Sequence, residues 1–80
     1  MSNLQKYISA FVETFEVEEA DLAELSYQDI EAWDSVGHMA LMAELEDAFD
    51  VELDIDDIID FSSFEVGKSI MKKYEVEVER

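Results

Sequence analysis

The stretch "EAWDSVGHMALMAELEDAF", residues 31–49, decides the fold of this chain. Its large apolar side chains recur at intervals of four residues, at Leu41, Leu45 and Phe49. That is the spacing of one face of an α-helix, and Asp34 is a residue type favoured at the N-cap. The pattern therefore predicts a helix over residues 35–50. Ser35 stands at its start, and its hydroxyl either only helps to begin the helix or carries a chemical group.

The same periodicity extends over most of the chain. It predicts helices over residues 3–16, 35–50 and 63–74, and the apolar residues that bunch after an extended connection predict a short helix over residues 56–61. Ser62 and Glu65 have the spacing of a capping box at the start of the last helix. Residues 17–34 show no clean period and predict a long loop that can hold one turn of helix. Residues 75–80 alternate like a strand but have no second strand to pair with, so we expect a frayed tail.

The composition favours a helical fold. The chain has no proline and only two glycines, so it lacks the turn residues that usually connect strands. We expect a single all-α domain over residues 1–80. It should be a four-helix bundle with three longer helices, a short third helix and a long loop between the first two.

Length and composition exclude several classes of protein. A chain of 80 residues buries a small core, so an enzyme with a deep cleft is not expected. Without cysteine there is neither a disulfide nor a thiolate metal site. The N-terminus lacks the features of a signal peptide, and no apolar run reaches membrane-spanning length. We therefore expect a cytoplasmic monomer with no membrane contact and no metal.

The charge is strongly negative and unevenly distributed. The formal net charge is -17, and the 61 residues between Lys6 and Lys68 carry 19 of the 22 acidic residues. Such a surface repels phosphate backbones, so nucleic-acid binding is not expected. It attracts partners with basic surfaces, in encounters that depend on salt. The alternative is that the acidity only keeps the protein soluble.

Two other functions for this region are disfavoured. His38 follows Ser35 by three residues, but no strained Gly-x-Ser-x-Gly turn surrounds the serine, so we interpret His38 as a partly exposed helix residue rather than a catalytic base. The acidic residues from Asp50 onward alternate as in a calcium-binding EF-hand loop. Counting Asp50 as the first position, Ile55 stands where that loop requires glycine and Phe61 where it requires glutamate. A dedicated calcium site is therefore not expected.

The strings "WDSVGHMALMAELEDAF" and "DVELDIDDIIDFSSFEVGKSIMKKY" together resemble an acyl carrier protein, the small acidic helical carrier of fatty-acid, polyketide and related assembly systems. The resemblance lies in Asp34-Ser35 followed by an apolar residue, the apolar stripe with Glu46-Asp47, the acidic connection and Ser62-Ser63. It covers residues 3–74 and implies a four-helix bundle of the acyl-carrier type.

The resemblance implies a role for Ser35 and its neighbour Asp34. In such proteins a separate phosphopantetheinyl transferase uses coenzyme A and Mg²⁺ to attach 4'-phosphopantetheine to the serine as a phosphodiester, and the aspartate is its motif partner. The terminal thiol of the arm then supplies the nucleophile that a chain without cysteine lacks, and cargo is held as a thioester. The resemblance thus implies a carrier that is not itself an enzyme and has no catalytic residue.

Docking and cargo residues are implied in the same way. The candidates for docking to transferase, loading and processing enzymes with basic patches are Val36, Met39, Glu44, Glu46 and Asp47. The candidates for a pocket around an acyl chain are Leu41, Met42, Leu45, Ile58 and Ile59. Each pocket candidate can also be plain core, because so short a chain has few apolar residues to spare.

Three residues near the serine depart from the family pattern. Val36 replaces the usual leucine, and Gly37 and Ala40 stand where fatty-acid carriers commonly have acids. A close approach to a partner or a looser first turn would explain Gly37, which lowers helix propensity by about 1 kcal/mol relative to alanine. The departures favour a specialised stand-alone carrier for a polyketide, aminoacyl or surface-glycan pathway. The alternative function is an acidic docking or regulatory protein of the same fold without the arm.

Overall fold

The computed structural model describes residues 2–78 and shows four α-helices and one 3₁₀ helix in that part of the chain. They are α1 (Asn3–Phe15), the 3₁₀ helix (Glu19–Glu24), α2 (Ser35–Phe49), α3 (Ile55–Asp60) and α4 (Phe64–Lys72). The all-α prediction is confirmed for these residues, and each α-helix begins and ends within two residues of its predicted bounds. Among the described residues no helix has both the length and the apolar character needed to cross a bilayer.

Side-chain caps mark where α1 and α4 begin. At α1 the Ser2 hydroxyl accepts the Gln5 N–H over 3.2 Å. At α4 the Ser63 hydroxyl accepts the Val66 N–H over 3.0 Å. The cap predicted at Ser62 is therefore displaced by one residue, because it is the extended backbone of Ser63 that turns into the helix. Ser62 is left exposed in front of α4.

Aromatic rings fill the core. The Phe11 ring on α1 has its centroid 5.0 Å from the rings of Tyr7 and Phe64 and 5.6 Å from that of Trp33. Its ring meets theirs edge-on, an arrangement that is favourable beyond the area buried. The Tyr7 hydroxyl donates to the Phe64 carbonyl over 2.7 Å, and burial together with the charge of Glu65 raises the pKa of Tyr7 above its ordinary value. The cluster joins α1, α4 and the loop before α2.

The long loop between α1 and α2 is packed rather than free. Leu22 and Leu25 are buried against the core. The Tyr27 N–H donates to the Ser62 carbonyl over 2.8 Å, and the Phe64 N–H donates to the Leu25 carbonyl over 3.0 Å. These two bonds fasten the loop to the start of α4, so the residues that lead into α2 have a fixed position.

The prediction of a frayed tail is wrong for residues 75–78. Glu75 adopts a left-handed conformation, and the Val76 N–H donates to the Met71 carbonyl over 3.2 Å. Val76 and Val78 are both buried in the core, Val78 with only 1% of its surface exposed. Alternate residues of an extended segment point to the same side, so the two valines cover core surface without needing a partner strand. Residues 79–80 lie outside the described part.

Candidate functional site

Ser35 is the exposed first residue of α2. The preceding Asp34 is the N-cap, and its Oδ1 accepts the Gly37 N–H over 2.8 Å. The first N–H groups of a helix have no partner within the helix, and the helix dipole places partial positive charge at this end. A group attached to the Ser35 hydroxyl would therefore lie beside backbone donors and in a field that favours negative charge.

An apolar groove of about 370 Å³ borders Ser35. Its two long walls are supplied by α2 and α3, through Ser35, His38, Met39, Ile55, Ile58 and Ile59. Tyr27, Phe61 and Ser62 complete the lining. Ile55 and Ile59 are each 72% exposed, so one wall of the groove presents apolar side chains to solvent. An exposed hydroxyl and an open apolar surface thus adjoin each other.

The structure divides the predicted pocket residues into two groups. Ile58 and Ile59 line the groove. Leu41, Met42 and Leu45 are almost fully buried in the core and do not line it. They lie on the buried face of α2, and the stripe that made them conspicuous in the sequence is the stripe that a small core requires.

Several groove residues were missed from the sequence. Ile55 and Phe61 lie in the same apolar run as the two predicted isoleucines, so that run was a usable signal for both. Tyr27 and Ser62 reach the groove because the loop is fastened to the start of α4. A pairing of segments so far apart in the chain leaves no local pattern by which it could be found.

The predicted docking residues differ in their availability. Val36 is 78% exposed and Met39, which also lines the groove, is 55% exposed. Glu44 and Asp47 are exposed acids farther along α2. Glu46 is half-buried, and its Oε2 accepts the Leu53 N–H over 2.9 Å. The Glu46 carboxylate therefore has a structural partner in the connection to α3, in addition to any role at the surface.

His38 links two parts of the site. The Trp33 indole N–H donates to His38 Nδ1 over 2.9 Å, and His38 Nε2 lies 2.6 Å from the Ile58 carbonyl oxygen. The indole N–H can only donate, so Nδ1 accepts it and bears no proton, and the carbonyl can only accept, so Nε2 carries the proton. The imidazole is therefore neutral in this arrangement. Both ring nitrogens are thus engaged, which leaves neither free to act as a base for Ser35.

Gly37 allows the loop to approach α2 closely. A Cβ at this position would overlap the carbonyl oxygen of Ala32 and would lie 3.3 Å from Cε1 of Phe15. The close approach at this glycine is therefore made by the chain's own loop, whereas a partner or a looser first turn was the explanation expected from the sequence. The loop in turn carries Trp33, which has none of its surface exposed and stacks on Phe15 at 5.1 Å.

A polar cluster ties α3 to the end of α4. The Lys73 ammonium donates to Oδ1 of Asp57 over 2.7 Å, and the Tyr74 hydroxyl donates to Oδ2. The Tyr74 oxygen also accepts the Asp54 N–H over 2.9 Å. The hydrogen bonds from Lys73 and Tyr74 lower the pKa of Asp57, and the bond to Asp57 raises the pKa of Lys73. Lys73 is exposed, so solvent weakens this ion pair.

The acidic connection before α3 does not gather into a metal site. Within residues 2–78, no three His, Cys, Asp or Glu side chains come together as ligands for a metal ion. Ile55 begins α3, and Phe61 is buried in the core. The two positions that an EF-hand would use for its turn and its bidentate ligand are thus occupied by apolar residues with other roles.

Comparisons with known proteins return no relative of this chain. No family model, no curated protein and no solved structure matches it. The basis for a function is therefore the serine, the groove and the charges described above.

Proposed function

We propose that this chain is a non-enzymatic carrier protein of the acyl-carrier type, which holds an acyl or aminoacyl group as a thioester on a 4'-phosphopantetheine arm attached to Ser35. The observation that carries the proposal is the position of Ser35, an exposed residue on the first turn of α2 at the edge of an apolar groove. The resemblance of residues 3–74 to acyl carrier proteins supports the same assignment.

The N-terminus of α2 suits the phosphodiester by which such an arm would be joined. Anions are stabilised at helix N-termini by free backbone N–H groups and by the helix dipole. Asp34 caps the helix through the Gly37 N–H and so fixes the shape of the first turn. Because the chain has no cysteine, the arm would bring the only thiol of the assembled carrier.

The groove supports an apolar cargo. Met39, Ile58 and Ile59 line it next to Ser35, where an arm would begin. Burial of apolar groups is favourable by about 0.8 kcal/mol for each methylene removed from water. An acyl chain lying in the groove would be covered in part, and it would also cover isoleucine side chains that are otherwise exposed.

The surface charge supports basic partners. With a net charge of -17, the chain would attract a phosphopantetheinyl transferase and loading or processing enzymes that present basic patches. Glu44 and Asp47 are exposed acids on α2, and Val36 and Met39 offer apolar contacts near the serine. The proposal includes a monomer in the cytoplasm that binds neither nucleic acid nor membrane.

The test is modification of Ser35 in the full chain. The purified protein is incubated with coenzyme A, Mg²⁺ and a broad-specificity phosphopantetheinyl transferase, and its intact mass is measured. We expect the addition of one phosphopantetheine group. The Ser35→Ala variant should gain no mass, whereas Ser62→Ala, which removes another exposed hydroxyl of the same groove, should be modified like the parent.

Two outcomes would contradict the proposal. One is the absence of a mass shift with several transferases of different specificity, and the other is a shift that persists in Ser35→Ala. If Ser35 is never modified, while proteins that bind through the acidic side chains purify with the chain, the alternative of a docking protein without the arm is favoured. Circular dichroism of each variant excludes loss of the helical fold as the cause.

A further inference from the structure

We propose that His38 is a positioning residue, which in its neutral form fixes α3 as the wall of the groove beside Ser35. The inference rests on the proposed function where it concerns cargo, because the groove is taken to shelter the group carried on Ser35. The link from Trp33 through His38 to Ile58 is present in the unmodified chain, so its structural part is tested independently of any arm.

The link begins from a fixed support. Trp33 has no exposed surface, stacks on Phe15, and has its ring centroid 5.6 Å from that of Phe11. The imidazole of His38 lies almost parallel to the indole, with 6.2 Å between the ring centroids and 16° between the ring planes. The indole N–H points to Nδ1 of His38. The core of the protein therefore holds the imidazole in one orientation.

The other end of the link is a carbonyl that α3 itself satisfies poorly. Ile58 is among the last four residues of α3, whose carbonyls lack full partners within the helix. The Phe61 N–H reaches the Ile58 carbonyl over 3.4 Å, whereas His38 Nε2 lies 2.6 Å from it. The His38 side chain thus acts as a C-terminal cap for α3, supplied by α2 across the groove.

α3 needs such support. It has six residues, and helices this short are not stable by themselves. Asp57 ties it to Lys73 and Tyr74 on the side of α4. His38 is its polar tie on the side of the groove. The groove-lining side chains of Ile55 and Ile59 move with the backbone that His38 holds, and so the imidazole decides the shape of the groove.

The link requires one protonation state. The indole nitrogen of Trp33 can only donate, and an imidazolium carries N–H on both nitrogens. Protonation of Nδ1 would therefore set two donors against each other and break the contact with Trp33. The contact from Nε2 to the Ile58 carbonyl would remain possible, but the imidazole would lose the support that orients it.

Other ionisable groups lie on the elements around His38. They are Tyr27, Asp29 and Glu31 in the loop, Asp34 before α2, and Asp54, Asp56, Asp57 and Asp60 around α3. The Tyr27 ring contacts the imidazole at 5.4 Å between centroids. Three of the carboxylates already accept other donors, namely Asp29 from the Ser26 N–H, Asp34 from the Gly37 N–H, and Asp57 from Lys73 and Tyr74. His38 is the group whose proton lies within the link.

The experiment uses nuclear magnetic resonance on the full, unprimed chain, in which Trp33 gives the single indole N–H signal. Spectra of the parent are compared with those of His38 variants at one fixed pH. When both hydrogen bonds of His38 are removed, we expect the Trp33 indole signal and the α3 amide signals of Ile58 and Ile59 to change together. In His38→Gln, whose amide can both accept and donate, α3 should stay in place.

His38→Phe is the matched variant that keeps an aromatic ring but removes both hydrogen bonds. At about pH 8 its α3 amides should exchange with solvent about tenfold faster than in the parent, which is the order expected for the loss of one net hydrogen bond. Unchanged α3 exchange in His38→Phe would overturn the proposal. If that variant does not fold, α3 exchange in His38→Ala equal to that in the parent would do so.

The cargo part is tested after priming and loading with an apolar acyl group. Hydrolysis of the thioester should be several-fold faster in His38→Phe than in the parent and in His38→Gln, because the displaced wall leaves the thioester less sheltered. Equal rates in all three would overturn the claim that the link shelters cargo. Failure of Ser35 to be primed would count against the proposed function, and the resonance experiments on the unprimed chain would still decide whether His38 positions α3.

Discussion

Replacement of Gly37 by alanine is expected to destabilise the protein, although the same change at an ordinary helix position stabilises it. In an exposed helix interior, alanine is favoured over glycine by about 1 kcal/mol. At Gly37 the added Cβ would overlap the carbonyl oxygen of Ala32 and lie 3.3 Å from Cε1 of Phe15. A backbone oxygen cannot rotate away as the end of a side chain can, so the loop itself has to move.

The expected loss follows from two opposing contributions. Overpacking costs about 1–3 kcal/mol, and the loop that must move carries the fully buried Trp33. Taking the upper half of that range for a backbone overlap and subtracting the gain in helix propensity leaves a net loss of about 1–2 kcal/mol. For a domain of this size, the corresponding decrease in Tm is about 4–16 °C.

The assay measures urea unfolding by circular dichroism. It also measures the fluorescence emission of Trp33, the only tryptophan of the chain, in the folded protein. The matched control is Ala40→Gly on the exposed face of α2, which should cost about 1 kcal/mol through helix propensity alone. Both variants should be less stable than the parent, and only Gly37→Ala should alter the emission of Trp33. An increase in stability of about 1 kcal/mol in Gly37→Ala with unchanged emission would refute the close approach of the loop.

Three further results are expected. Val78→Ser should lower the free energy of unfolding by about 1.5–3 kcal/mol in urea titrations, because it loses a fully buried valine, whereas the exposed Glu77→Gln should be nearly neutral. The folded state lowers the pKa of Asp57 from 3.8, so the parent should be more stable than Asp57→Asn above about pH 4. This difference in the free energy of unfolding should vanish as pH falls through the lowered pKa, and urea unfolding over a pH series measures it. In priming assays Asp47→Lys should slow the reaction and leave the helical spectrum intact. Glu46→Lys should slow it too and should also reduce stability, because the Glu46 carboxylate accepts the Leu53 N–H. If both variants are primed as fast as the parent, the acidic residues of α2 serve only to keep the protein soluble.

The fold was predictable where the pattern is local. The period of apolar residues gives α1, α2 and α4 directly, because the face that repeats every three to four residues is the face that must be buried. The tail was not predictable in this way. Alternation in residues 75–78 indicates a strand when only neighbouring residues are considered, whereas Val76 and Val78 find their contacts on a core assembled from distant helices.

The candidate site was predictable in its position and only partly in its construction. Asp34 and Ser35 are recognisable because capping depends on residues next to each other. The hydrogen bond from Trp33 to His38 spans five residues across a helix start, and that from His38 to Ile58 spans twenty. Neither separation belongs to a helical or strand period, so this link across the groove emerges only from tertiary structure, whereas Ile58 and Ile59 were predicted from the sequence.

The structure separates the three residues beside Ser35 that differ from the acyl-carrier pattern, which are Val36, Gly37 and Ala40. Gly37 is required by the chain's own loop, so its lack of an acidic side chain follows from packing and need not reflect the choice of partner. Val36 and Ala40 are exposed and have no such internal reason. Under the proposed function, a partner would therefore meet apolar surface next to the serine and acidic charge only farther along α2, at Glu44 and Asp47. A partner enzyme that fits this surface would need apolar residues close to its active site and basic residues farther from it. Such an enzyme differs from one that recognises its carrier through acidic residues next to the serine.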